Sequence, residues 1–463
     1  MAPNILFVFS DQHRHNVMGC AGHPIVSTPT LDSLAAEGVR FTSAWCQSPV
    51  CQPSRASVIT GRYAHEVGVL QNTGGFDPEW PTVMKQLQKA GYETATIGKT
   101  HYHESYQEPR EEGAIDMRDA AGFVRSFGWD YVLEEYDKYL HASRRLRTPY
   151  TDHLSTHGVL DDYREQIKRV FRLTPTHWQG ETSVLPQELD LTSFLADEAI
   201  SWLQTRNRDK PFMLKLAFVQ PHVPLIDDPD WADFYRDADI TVPSLTPAEP
   251  VNETWGTYLG FLDKHSQAET MDEAFVESGI RHYLGMVSLV DQKIGEVMKA
   301  LDELGQLEDT WIVYCCDHGE MLGEHRLWAK MNFYKGSVQV PLIIRPPGGM
   351  APRLDDSLTE LTDVTATLAD IGGAEPPEGC HGVSLLPALD GARQGREFAY
   401  SRIGPFAGMR DERYRFTTHV TDEVPCELFD LTEDPGEVRN LVNEKAMQSL
   451  VQDLQANLVE HST

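Results

Sequence analysis

The chain has 463 residues, 41% of them hydrophobic and 24% charged, which suits a globular protein with one large α/β core and a smaller appendage. Its formal charge of −30 argues against nucleic acid or an anionic membrane surface as a partner. No apolar run is long enough to span a bilayer, and the seven cysteines include neither a CxxC pair nor zinc-ligand spacing.

Residues 4–10 are a short apolar run, predicted as a central strand. Residues 30–38 read as a helix closed by Gly38, residues 82–90 as a second helix, and residues 93–97 as the next strand. Residues 104–190 are rich in charge, aromatics and turn formers but lack sustained periodicity. A structureless loop of that length does not suit a compact domain, so they are predicted as an insertion with short helices near the active-site mouth. A strand follows at 212–219, then a long amphipathic helix at 283–304 and strands at 311–316 and 340–345. The alternation predicts an α/β fold whose mainly parallel sheet has helices on both faces. Residues 1–395 are read as the catalytic domain. Residues 396–463 are read as a small α+β subdomain with an antiparallel sheet at 397–403, 413–418 and 427–430 and a terminal helix at about 443–461.

Polar residues recur at the carboxyl ends of these strands, where open α/β sheets gather their chemistry. Asp11 and Gln12 close the first strand, and Lys99 and His101 follow the strand at 93–97. Pro221 and His222 follow the strand at 212–219, and Asp317, His318, Gly319 and Glu320 follow the strand at 311–316. A divalent cation prefers several oxygens, which Asp11, Gln12 and Asp317 supply, with a nitrogen from His318. One Asp–Gln or Asp–His pair alone is as readily a cap or a turn. Four such placements together point to a site.

The stretch Cys51-Gln52-Pro53-Ser54-Arg55, followed by Thr60-Gly61-Arg62, resembles the signature by which type I sulfatases have a cysteine oxidised to formylglycine. Gly98-Lys99-Thr100-His101 and Gln220-Pro221-His222-Val223-Pro224 are similar to two further motifs of that family, and Lys330 stands where it has a lysine. The resemblance implies an alkaline-phosphatase-like α/β/α sandwich. It also implies a hydrated aldehyde at Cys51 and a divalent ion held by Asp11, Gln12, Cys51, Asp317 and His318. The Asp–Gln and Asp–His pairs are shared with choline sulfatases and phosphonate monoester hydrolases. Calcium suits the oxygens, and the histidine brings in manganese as an alternative. The same resemblance implies that Arg55 holds the diol and that Lys99, His101, His222 and Lys330 face the substrate. His222 or Lys330 would protonate the leaving group, and His101 would take a proton from the diol during release.

The expected function is metal-dependent hydrolysis of sulfate monoesters. The alternatives are a phosphonate monoester or phosphodiester hydrolase using the same site, and a catalytically silent binding protein on the same scaffold. Retention of Ser54 leans toward the sulfatase. The expected partners are a small anionic ester substrate and, during maturation, a formylglycine-generating enzyme. A homo-oligomer is compatible with the sequence. The start of the chain lacks a basic n-region and a cleavage site, so a cytoplasmic protein is expected.

Overall fold

A computed structural model describes residues 2–102, 115–172, 178–393 and 395–462. Its core is an eight-stranded sheet. In chain order the strands are β1 (Asn4–Ser10), β2 (Val39–Phe41), β3 (Glu93–Gly98), β4 (Tyr131–Glu134), β5 (Phe212–Ala217), β6 (Thr310–Cys316), β7 (Leu342–Arg345) and β8 (Arg353–Asp355). They lie in the order β8-β2-β7-β6-β1-β5-β3-β4. All pair in parallel except β7, which runs antiparallel to β6 and β2.

The pleat explains the two layers of helices. Along β1, Ile5, Phe7 and Phe9 join one buried cluster, while Leu6 and Val8 join another. Successive side chains of a strand point to opposite faces, so a strand apolar at every position must be covered on both sides. Helix α1 (Cys51–Thr60) covers the first face, packed against α4 (Leu361–Ile371). Helices α2 (Leu191–Thr205) and α3 (Glu273–Glu303) cover the second. Helix α3 begins ten residues before the predicted start, where Asp272 accepts a hydrogen bond from Phe275 N. Its first turns reach beyond the sheet into a third cluster with Trp178 and Trp328.

The C-terminal module is a four-stranded antiparallel sheet, β9 (Ala399–Ile403), β10 (Phe406–Arg410), β11 (Tyr414–His419) and β12 (Val424–Asp430), backed by α5 (Gln448–Ser462). The fold is therefore the expected α/β sandwich with an antiparallel appendage, with one strand more in the appendage than predicted.

Residues 104–190 need correction. Positions 103–114 and 173–177 lie outside the described residues. The remainder does hold helices, at Pro149–Thr156 and Leu160–Arg172, but it also supplies β4, which pairs with β3 at the edge of the main sheet. The stretch is thus partly sheet core. The turn after β4 delivers Asp137 to the site.

Candidate active site

Cys51 is the first residue of α1, and the entire helix is buried. A helix N-terminus leaves its first N–H groups free and carries partial positive charge, a setting that favours an anionic group. Pro53 fits the first turn because its missing N–H would have had no helical partner. Gly61 ends the helix at φ 70°, and a Cβ there would lie 2.2 Å from Cys380 Sγ, so the motif's glycine is required twice over. Arg62 ties this end of the helix down by donating to the Glu378 carbonyl at 2.9 Å.

Two atoms close on the Cys51 sulfur. Lys330 Nζ and His318 Nε2 each lie 3.2 Å from Sγ, and Asp11 Oδ1 lies at 3.8 Å. His318 Nε2 is 3.6 Å from both Asp11 Oδ1 and Asp317 Oδ1. Its other nitrogen, Nδ1, is 3.1 Å from the Gly319 carbonyl, which fixes the proton there and leaves the Nε2 lone pair facing the sulfur and the carboxylates. Burial lowers the His318 pKa to about 4, so the ring is neutral, as a metal ligand must be.

Gln12 adopts a left-handed backbone at φ 67°, a strain of about 1–3 kcal/mol. It is held there by Gln12 N donating to Asp317 Oδ1 at 3.1 Å and by Tyr283 Oη donating to the Gln12 carbonyl at 2.6 Å. The side-chain amide donates to Glu320, which turns its oxygen toward Lys330 Nζ at 2.7 Å. Glu320 stood in the quoted Asp317–Glu320 run, but nothing in the spacing revealed that it would aim the Gln12 amide.

Arg55 differs from expectation. The resemblance placed it on the oxidised Cys51. Instead Nε donates to Asp317 Oδ2 at 2.8 Å, one terminal nitrogen to Asp11 Oδ2 at 3.1 Å, and the other to the Lys99 carbonyl at 2.6 Å. It braces the two carboxylates from behind. Ser54 adds to this brace, its hydroxyl donating to the Asp317 carbonyl at 2.6 Å. Lys99 likewise reaches carboxylates, with Nζ 2.5 Å from both Asp11 Oδ2 and Asp137 Oδ1. His222, between two cis proline bonds, has Nδ1 3.4 Å from Asp137 Oδ1. His101 follows Lys99 with φ 62°, its main-chain N–H directed at Glu134 Oε1 at 3.4 Å.

Burial opposes ionisation of Asp11, yet Lys99, His222, Arg55 and Lys330 outweigh it and hold the carboxyl well below the usual range. Burial also opposes the charge of Lys330, and its neighbours Cys51 and Asp11 outweigh burial and raise the pKa. Burial, reinforced by Lys99, lowers His101 well below the ordinary histidine value, so that ring is neutral. The site is therefore a buried lattice of fixed charges in which the cations Arg55, Lys99 and Lys330 alternate with Asp11, Asp137 and Asp317. The three cations and three carboxylates balance, so within a chain of net charge −30 the local excess of positive charge that an anionic substrate needs would come from a divalent ion bound there.

Asp11, Cys51, Asp317 and His318 each offer a ligand atom within 4.8 Å of one another, all buried. Two carboxylates facing a neutral imidazole nitrogen form a donor set that fits a divalent cation.

A mainly parallel sheet with this charged lattice beneath a helix-borne Cys51 defines a hydrolase of the alkaline-phosphatase-like fold. The particular family is shown by comparison. Residues 3–374 match the sulfatase family model, and residues 323–463 match that of the C-terminal region of N-sulphoglucosamine sulphohydrolase. The chain belongs to the sulfatase family and is a sulfuric ester hydrolase that acts on sulfate monoesters. It is 30% identical to a choline-sulfatase of Rhizobium meliloti (strain 1021), across 95% of this chain and 82% of the other. It is 26% identical to an arylsulfatase of Clostridium perfringens (strain 13 / Type A), across 99% and 94%. A phosphonate monoester hydrolase from Silicibacter pomeroyi superposes with a TM-score of 0.79 at 26% identity, covering 99% of this chain and 95% of that one.

Proposed function

We propose that the enzyme hydrolyses sulfate monoesters through a formylglycine made from Cys51 and a single divalent cation held by Asp11, Gln12, Asp317, His318 and the oxidised residue 51. Calcium is the first choice and manganese the second. The observation that carries this reading is the convergence of Lys330 and His318 on Cys51 Sγ at 3.2 Å, beside the buried carboxylates of Asp11 and Asp317. Sγ stands where the oxygens of the oxidised side chain attach to the same carbon. The hydrated aldehyde supplies two hydroxyls, one to attack sulfur and one to expel the bound sulfate. The cation supplies positive charge beside them.

The residues of the chain do the rest. Arg55 keeps Asp11 and Asp317 ionised and aligned. Lys330 stays charged beside residue 51 and offers a proton donor to a substrate oxygen. Lys99 adds fixed positive charge, and His222 faces the leaving group and protonates it as the ester bond breaks. His101, kept neutral, takes the proton released when the sulfate is expelled. The seven unpaired cysteines suit a reducing compartment, which supports a cytoplasmic enzyme. Among the described residues no helix is long and apolar enough to cross a membrane.

A second reading, phosphonate monoester hydrolysis, is favoured by the likeness to the Silicibacter enzyme and by the Asp–Gln and Asp–His pairs. A panel of aryl, choline and sugar sulfates, a phosphodiester and a phosphonate monoester, assayed at one pH with one metal, separates the two. We expect higher kcat/KM on a sulfate ester. The opposite preference on matched aryl leaving groups would move the assignment to the phosphonate.

A further inference from the structure

Asp137 belongs neither to the metal-binding set nor to the substrate-facing set. It comes from a stretch with no periodicity to place it in the core, yet it is 1% exposed and sits between Lys99 and His222. Asp11, Asp137 and His222 lie within 4.8 Å of one another, close enough for a second cation. Lys99 argues otherwise. Its Nζ is 2.5 Å from each of the two carboxylates, so an ammonium already fills the cation's place.

The surroundings of His222 then become specific. Two oxygens approach Nδ1, the Val223 carbonyl at 2.9 Å and Asp137 Oδ1 at 3.4 Å. A carbonyl and an ionised carboxylate can only accept. Burial works against the charge on Asp137, but Lys99 and His222 outweigh it and hold the carboxyl well below its usual range. Nδ1 must therefore carry the proton, and Nε2 is the nitrogen left for the substrate.

We propose that Asp137 is a positioning residue for leaving-group protonation. Together with the Val223 carbonyl it holds His222 in the Nδ1–H form, and it supplies the counter-charge when Nε2 holds a second proton. Its bond to Lys99 keeps that ammonium from facing the imidazolium unscreened. In the step it serves, the S–O bond to the leaving group breaks, its electron pair stays on the leaving oxygen, and that oxygen takes the Nε2 proton. His222 returns to the neutral Nδ1–H ring. The arrangement parallels other enzymes in which a buried carboxylate orients a histidine without accepting its proton. The proposal rests on the sulfate-ester reading and on His222 facing the leaving group.

The test uses the full-length, formylglycine-bearing, metal-loaded enzyme and Asp137→Asn. A good leaving group needs little protonation and a poor one needs much, so the loss should depend on the substrate. With 4-nitrophenyl sulfate we expect kcat/KM to fall by less than about threefold. With phenyl or alkyl sulfates we expect a fall of more than about 30-fold, a large part of the roughly 100- to 10,000-fold that general acid catalysis supplies. An equal fractional loss across the series, or none, overturns the proposal, because a purely structural role would not change the slope against leaving-group basicity. A second measurement needs neither the variant nor turnover. Histidine-selective 15N NMR of the wild type should show His222 protonated at Nδ1, and an Nε2–H tautomer overturns the proposal. If the wild type turns over no sulfate ester, the functional reading fails while the NMR still decides the tautomer. A metal content above one ion per chain that falls to one in Asp137→Asn would place a metal ion where Lys99 is assigned, and would also overturn it.

Discussion

Two of the protein's buried charge clusters differ in a way that separates chemistry from architecture. In the C-terminal module Arg415 is fully buried, pairs with Glu427 and Glu437, and lies 4.8 Å from the Tyr334 ring centre and 4.6 Å from that of Phe429. One cation meets two carboxylates between aromatic faces, and Glu437 also accepts Lys335 N at 2.7 Å, locking the module to the catalytic domain. Nothing reactive is touched. Around Cys51 the pairs are just as buried, but Lys330, His318 and Asp11 all reach one atom that can become a nucleophile. Burial and ion pairing are common to both clusters. Convergence on a reactive atom is what marks the active site.

The largest expected effect follows directly. Cys51→Ala should reduce sulfate ester turnover to background while the free energy of urea unfolding stays within about 1–2 kcal/mol of wild type, the ordinary range for a point substitution. Intact-mass measurement of wild type produced with a formylglycine-generating enzyme should show the change from thiol to aldehyde at residue 51. Retained activity in the alanine variant would end the mechanism. Next in size is Asp317→Asn, which removes charge from the metal set and from Arg55 Nε together. Substitutions in the outer shell of a metal site cost 10–100-fold, so loss of a ligand should exceed about 100-fold in metal affinity. Elemental analysis after dialysis checks the content, and full occupancy in the variant would show the ligand set to be wrong.

Much of this was readable in advance, and the rest was hidden for physical reasons. β1 is apolar at every position from Ile5 to Phe9 because it is covered on both faces, and such a run stands out in sequence. The segment from Cys51 to Arg62 stands out because helix start, proline, arginine and terminal glycine each have a fixed geometric task. β2 and β8 have three residues each and β4 has four, too few to establish a period. Asp137 was invisible for that reason, since its place depends on a strand the sequence does not announce. Arg55 was found, but its partners were not. Its position one helical turn after Cys51 is right, yet two carboxylates from distant strands compete for its donors, and sequence spacing says nothing of them.

The third test probes the architectural cluster. Arg415→Met leaves Glu427 and Glu437 buried without their cation, and breaking such a pair costs about 3–5 kcal/mol. Urea unfolding should show that loss, while kcat per folded molecule stays within about threefold of wild type. A collapse of kcat at unchanged stability would mean that the Arg415 cluster controls Lys330 through the intervening Tyr334 loop, and the contrast drawn above would fail.

The smallest effect concerns a carboxyl that belongs to neither class. Glu134 ends β4, is 3% exposed, and accepts from Thr100 N at 3.0 Å and His101 N at 3.4 Å, with no ion pair among the described residues. Burial raises its pKa from 4.5 to about 7, against the pull of those N–H groups. The folded chain therefore keeps a proton between about pH 4.5 and 7 that the unfolded chain releases, and the associated stability is lost as pH rises through about 7. Glu134→Gln keeps an acceptor for the two N–H groups and cannot ionise. The variant should match wild type at pH 5 and be more stable at pH 8, by at most about 3 kcal/mol on the pKa difference. Urea titrations of both proteins at the two pH values measure this directly. If the variant is less stable at pH 8, the ionised form is being used, and the nearby Lys215, whose own pKa is lowered to about 7 by burial and by Arg55, is its partner. Glu134 would then join the charged lattice of the site, extending it one strand further toward the sheet edge.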